Sequence, residues 1–185
     1  MKQIDFLELV KSRQSVRSYS GKQVEKEKID RCLEAGRLAP SACNAQPWSF
    51  IVITDPELKN QVADLTADRL IPMNHFTKQA PVHIIVVIEK ANLTSTLGSA
   101  IKDKFFPWID IGIATEHICL QATSEGLGTC ILGWFKEKKI KKLLNVPDKK
   151  RIGLIITLGY PKKEEIRKKK RKTLADIVHN NTYKR

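Results

Sequence analysis

Three polar clusters in this chain have residue types and spacing that could do chemistry. The first is Ser12-Arg13-Gln14-Ser15-Val16-Arg17. If it is extended, two arginines and a serine point one way, which suits an anion or the polar edge of a ring. A solvated helix end is the alternative. The second cluster, residues 39–48 (APSACNAQPW), has a proline near each end, with Ser41, Asn44 and Gln46 offering donors and acceptors between them. An ordinary turn accounts for it as well as a binding loop does. The third is the basic run 167–172 (RKKKRK), which directly precedes Thr173-Leu174-Ala175-Asp176-Ile177-Val178. A solvated charge run is the competing reading there.

Familiar catalytic signatures are missing. The chain has no G-x-x-x-x-G-K-[ST] phosphate loop and no G-x-S-x-G elbow. Gly126-Leu127-Gly128 follows a predicted helix instead of opening one, and the next glycine is Gly133, so it is not a dinucleotide fingerprint. No pair of carboxylates stands out for acid–base work. Cys32, Cys43, Cys119 and Cys130 are too far apart for a C-x-x-C pair, and His75, His83, His117 and His179 do not complete a metal site. We expect no metal, and four buried free thiols in a reducing cytoplasm. An enzyme built on these residues would leave the hard chemistry to a bound cofactor.

The elements that must position these clusters are legible from apolar periodicity. Residues 3–12 and 24–38 read as amphipathic helices, and 48–54 (WSFIVIT) as a strand. Asp55-Pro56-Glu57 starts a helix predicted to run to about Arg69. Residues 82–88 (VHIIVVI) form a strand with both faces covered. Residues 110–125 form a helix that is apolar or small nearly all round, ended by Gly126. Strand 129–132, a basic helix 136–144 and strand 152–158 follow. Strands alternating with helices predict a three-layer α/β or α+β sandwich.

Length and charge bound the rest. At 185 residues with 42% apolar content, one domain (1–185) can bury a sizeable core, with a basic C-terminal segment 162–185. No apolar run is long enough to span a membrane, and the N-terminal residues lack a signal-peptide pattern. Up to Phe135 the chain carries 15 basic and 15 acidic residues; the last 50 carry 18 and 5, which is the whole net charge of +13. A uniformly basic protein would suggest a nucleic-acid binder, but here the body is neutral and only the last quarter is basic. The basic stretches also lack interleaved aromatics.

Taken together and in order, these motifs resemble the nitroreductase family of flavoproteins. The resemblance rests on Arg13-x-Ser15-x-Arg17, on Pro40-Ser41-x-x-Asn44-x-Gln46-Pro47-Trp48, on Gly126-Leu127-Gly128-Thr129-Cys130-x-x-Gly133, and on the late Lys/Arg before Leu174-x-x-Ile177-Val178. It spans residues 6–179. The resemblance implies an α+β sandwich with a central, mostly antiparallel sheet, a homodimer, and FMN bound at the dimer interface. Arg13, Gln14, Ser15 and Arg17 match the motif for the flavin phosphate and pyrimidine edge. Pro40, Ser41, Ala42 and Asn44 match the loop that reaches the flavin from the other subunit. Ile131, Leu132 and Gly133 match the segment laid on the ring, with the Gly133 backbone N–H near N5. Lys169 and Arg171 match the basic pair on the phosphate. Asn74 and Lys78 precede the second strand, where the family often places a pyrimidine contact.

The implied activity is a ping-pong oxidoreductase in which NADH or NADPH is the donor. A nitroaromatic, quinone or similar electron-poor acceptor receives the electrons. A dehalogenase-like flavoenzyme of the same fold is the alternative, and a basic nucleic-acid-binding module a distant one. Residues 70–108 are expected to shape the substrate mouth, with Phe76, Phe105, Phe106 and Trp108 as stacking candidates or packed core.

Overall fold

The computed structural model of the chain describes residues 5–67, 73–90 and 105–183. In chain order these form α1 (Phe6–Ser12), α2 (Lys26–Arg37), β1 (Trp48–Ile53), α3 (Pro56–Thr66), β2 (Val82–Ile88), α4 (Phe106–Ser124), β3 (Gly128–Leu132), α5 (Glu137–Leu143), β4 (Arg151–Gly159) and the single turn α6 (Leu174–Ile177). Short 3-10 turns occupy Ala42–Asn44 and His75–Gln79.

Local chemistry sets most of the boundaries. Asp5 accepts from the Leu7 and Glu8 amides and starts α1. Asp55 accepts from Leu58 at 2.7 Å, with Pro56 in the first turn, and starts α3. α3 ends at Thr66, sooner than its periodicity suggests, and Arg69 lies outside the described residues. α4 begins a turn earlier than its apolar pattern predicts, because Pro107 sits in the first turn, where its missing N–H costs nothing. Gly126 takes φ +74°, and Leu127 donates back to the Ala122 carbonyl at 2.8 Å, which ends α4.

The sheet runs β1-β2-β4-β3, and every neighbouring pair is antiparallel. β2 is central and wholly buried, which is why its sequence shows no polar alternation. Ile84, Val86 and Ile88 face α2 and α4, packing with Ile29, Cys32, Ile111 and Ile118. Ile85 and Val87 face the opposite layer, with Val62 of α3 and Ile140 of α5. The architecture is therefore an α+β three-layer sandwich. Each fully buried aliphatic side chain contributes roughly 1.5–3 kcal/mol.

One irregularity adjusts the register. Val86 pairs with Leu154 but Val87 pairs with Ile152, so Gly153 is the extra residue of a bulge. A Cβ there would lie 2.4 Å from Ile111 Cδ1, so the bulge allows α4 to approach the sheet closely. α4 itself is buried on only one side. Ile111, Ala114, Ile118, Cys119 and Ala122 are covered, whereas Trp108 and Ile109 are exposed.

His83, in β2, is fully buried. Its Nε2 lies 3.1 Å from the Thr77 carbonyl, and Nδ1 has no partner among the described residues. Burial holds the ring neutral by pushing its pKa down to about 4. The unfolded chain takes up this proton near pH 6.5 and the folded one only near 4. Stability is therefore intact above pH 6.5 and falls as pH drops from 6.5 to about 4, by at most about 1.4 kcal/mol per pH unit. Denaturant unfolding across this range should show a shallower pH slope in His83→Gln than in the wild type. Equal slopes would refute the assignment.

Candidate functional site

The segment after α1 becomes part of the sheet. Ser15 forms a parallel bridge with Thr129, and the Val16 amide donates to the Thr129 carbonyl at 2.8 Å. Further along, Tyr19 bridges Pro161 and Ser20 donates to Tyr160 at 3.0 Å. Tyr19 anchors this run: it is buried, its hydroxyl lies 2.7 Å from Thr157 Oγ1, and burial pushes its pKa up. Residues 15–20 therefore lie along the free edge of β3 and beside the end of β4. Arg13, Ser15 and Arg17 are carried with them.

The basic tail returns to the same place. Lys169 Nζ donates to the Arg13 carbonyl at 2.6 Å and to the Lys11 carbonyl. Six cations, Arg13, Arg17, Arg167, Lys168, Lys169 and Arg171, surround a cleft of about 260 Å³ that Gln14 and Ser15 also line. The carboxylate paired with this group is Glu116 of α4, 3.3 Å from Arg13 Nε. That nitrogen is buried and makes no aligned hydrogen bond among the described residues. Burial, followed by the charges of Arg13, Arg171 and Arg167, lowers the Lys169 pKa below the usual lysine value. A multiply charged anion in the cleft would relieve this repulsion through charge-assisted hydrogen bonds. The residues fit the phosphate of a nucleotide-like cofactor.

At the far end of β3, the other predicted segment is open. Ile131 is 42% exposed, Leu132 is buried in the core, and Gly133 is exposed. A Cβ on Gly133 would meet nothing within 4 Å. Asn74, in a left-handed turn at φ 60°, donates to the Trp134 and Thr66 carbonyls, each at 3.2 Å. Its amide nitrogen holds the strand-to-helix loop in place beside Gly133. The neighbouring Cys130 thiol has its pKa raised by burial, opposed by the Arg17 charge and by Ser15, so both side chains reach this strand.

The 39–48 loop is built differently. Ser41 Oγ accepts from Gln46 N at 2.9 Å, Asp110 Oδ1 accepts from Ala42 N at 3.1 Å, and Gln46 Nε2 donates to Asn44 Oδ1 at 3.1 Å. Cys43, Asn44 and Gln46 all have positive φ. The loop is a tight, self-held projection on the start of α4. Pro40 and Asn44 are exposed on it, and none of its residues line the basic cleft. Cys43 is exposed as well, which corrects the expectation of four buried thiols: it sits on the turn, whereas Cys32, Cys119 and Cys130 lie in packed elements.

Several residues escaped the sequence reading. Arg167 and Lys168, part of the basic run but not singled out from it, line the cleft, and Glu116 pairs with Arg13. No local signal separates Arg167 from its neighbours, because all six residues 167–172 are basic. Phe76 is core: it is partly buried and stacks on Tyr19 at 6.5 Å. Phe105 and Trp108 are exposed, 6.4 Å apart. Much of the predicted substrate mouth, 70–72 and 91–104, lies outside the described residues. Among those described, no cluster of His, Cys, Asp or Glu could hold a metal, and no helix is long and apolar enough to cross a membrane.

A three-layer sandwich with a basic cleft on the edge of its outer strand defines a class of α+β proteins suited to an anionic cofactor. The nitroreductase family model matches residues 10–160, and the chain belongs to that family. A protein of Archaeoglobus fulgidus assigned as an NADH dehydrogenase/NAD(P)H nitroreductase is 32% identical over 165 residues, 86% of this chain and 87% of its own. An iodotyrosine deiodinase of Thermotoga neapolitana is 26% identical over 174 residues, 83% of this chain and 87% of its own. The crystal structure of a nitroreductase family protein from Clostridium novyi superposes with a TM-score of 0.74 at 29% identity, covering 89% of each chain.

The approach of the 13–17 segment to β3 depends on Gly128. A Cβ there would meet Val16 Cγ2 at 2.4 Å and Val16 Cβ at 2.8 Å. Gly128→Ala should destabilise the fold by about 1–3 kcal/mol and loosen Arg13 from the cleft. Thermal unfolding and amide exchange at Val16 would check this; native protection there would contradict it.

Proposed function

We propose that this chain is an FMN-dependent oxidoreductase that uses NADH or NADPH to reduce electron-poor acceptors such as nitroaromatics and quinones. The observation that carries this reading is the six-cation cleft carried on the edge of β3, whose far end is exposed at Ile131 and Gly133. A phosphate monoester with about two negative charges matches the cleft, and the open space over Gly133 leaves room for a planar ring. Arg13, Lys169 and Arg171 would hold the phosphate, and Ser15 and Arg17 the polar flank of the flavin. Ile131, Leu132 and Gly133 would back the ring, with a backbone N–H as donor to its reactive edge. A bound FMN would supply the two-electron hydride chemistry that links the nicotinamide to the acceptor.

The chain's own residues bind and bias. Arg17 keeps a cation at the β3 edge, which favours electron density arriving there. Glu116 holds the Arg13 guanidinium towards the cleft. The surplus basic charge draws in anionic nicotinamide cofactors. The absence of a catalytic triad then needs no explanation, because no side chain has to act as nucleophile.

A homodimer follows from the same reading. Phe6, Leu7 and Val10 of α1, Trp108 and Ile109 of α4, and Leu174, Ile177 and Val178 of the tail are all exposed apolar side chains. A contiguous cover for that much apolar surface is what an obligate interface provides. In the dimer, Pro40, Ser41, Ala42 and Asn44 of the second subunit would close the flavin site, which accounts for the projecting loop.

Purified protein should show a flavin spectrum, or acquire one with added FMN, and should bleach anaerobically with NADH or NADPH. It should elute as a dimer. Arg13→Met should weaken FMN binding by about tenfold, from the loss of a charge-assisted contact. Colourless protein that takes up no FMN would overturn the reading. The iodotyrosine deiodinase relatives motivate a second reading, reductive dehalogenation on the same flavin. Turnover of an iodophenol exceeding that of a nitroaromatic and a quinone would favour it.

A further inference from the structure

The sequence resemblance groups Gln14 with the flavin ligands, but its amide is engaged elsewhere. Gln14 Nε2 donates to the Glu165 carbonyl at 2.9 Å. Its Oε1 accepts from the Arg167 backbone N–H at 3.2 Å and from Arg167 Nε at 3.3 Å. Arg167 Nη2 in turn donates to the Ser15 carbonyl at 2.6 Å. The side-chain amide pairs with the tail much as a neighbouring strand would. Gln14 and Glu165 are 151 residues apart, so these contacts are purely tertiary.

We propose that Gln14 and Arg167 form a clasp that sets the register of the basic tail. Gln14 lines the cleft, but its side-chain amide is committed to the tail, so it acts as a positioning residue. The tail presents six consecutive basic residues, 167–172, and nothing in their composition says which should face the cleft. Residues 164–172 form no helix, and in an extended chain side chains two apart share a face. Clasping the backbone at 165 and 167 places Lys169 on the Arg13 carbonyl and Arg171 at the cleft. Lys168 also lines the cleft, between Arg167 and Lys169, but Lys170 and Lys172 do not, and a one-residue slip would put these two in place of Lys169 and Arg171. Tail docking and anion binding are coupled through this clasp.

The inference rests on the reading that the cleft receives the FMN phosphate, and its test separates the two. Gln14→Met keeps the side-chain volume and removes both hydrogen-bonding atoms, while Arg167→Ala removes the other half of the clasp at an exposed position. In the flavin-free protein, each variant should speed tryptic cleavage within 167–172 at least about fivefold, with the rest of the chain equally resistant. In fluorescence titrations each should weaken FMN about fivefold to tenfold and change riboflavin, which lacks the phosphate, by less than about twofold. Lys169→Ala should weaken FMN less in the Gln14→Met background than alone, because a slipped tail offers another lysine. Wild type that takes up no FMN, while the variants still expose the tail, would refute the flavin reading and leave the clasp standing. Unchanged cleavage in both variants, or full additivity of Gln14→Met with Lys169→Ala, would overturn the clasp.

Discussion

The hydrogen bond from Val16 to the Thr129 carbonyl, with the Ser15–Thr129 bridge beside it, joins two parts of the chain more than a hundred residues apart. Arg13, Ser15 and Arg17 come from one side of that junction, and Ile131 and Gly133 from the other. Gly128 permits the contact because no side chain stands between the strands. The tail then docks on the segment this junction has immobilised, with Lys169 reaching the Arg13 carbonyl. Without the junction the cations would have no common geometry. Repulsion would spread them into solvent.

Charge is distributed accordingly. Most ionic contacts elsewhere are exposed pairs such as Lys26–Asp30 and Arg37–Glu34, which contribute little to stability. Two buried lysines make a different use of charge: Lys59 donates to the Lys78 carbonyl at 2.6 Å, and Lys141 to the Lys150 carbonyl at 2.7 Å. Both cap backbone turns. The basic cleft contrasts with them: six cations gather there beside Glu116, and the Lys169 pKa is lowered first by burial and then by the charges of Arg13, Arg171 and Arg167. Folding tolerates that repulsion because the cleft is open to water. A bound anion would relieve it.

Much of the fold was legible from local patterns. β2 was readable as a doubly covered strand, since seven consecutive apolar or buried-compatible residues leave no face for water. α3 was readable from Asp55-Pro56, and the end of α4 from Gly126. The β4 bulge at Gly153 was not, because the requirement for a glycine comes from Ile111 of another layer. The partners of Gln14 were not legible for a similar reason: it lines the cleft with its sequence neighbours, but its side-chain amide bonds to the tail about 150 residues away.

What the sequence alone determined is the layering and the set of cations available for an anion. Both depend on periodicity and composition, and these act over a few residues. What only the tertiary structure decided is which cations converge, which exposed loop stands apart from them, and in which register the tail lies. Six contiguous basic residues are equivalent along the chain. Hydrogen bonds to Gln14 and to the Arg13 carbonyl, made across more than 150 residues, distinguish them.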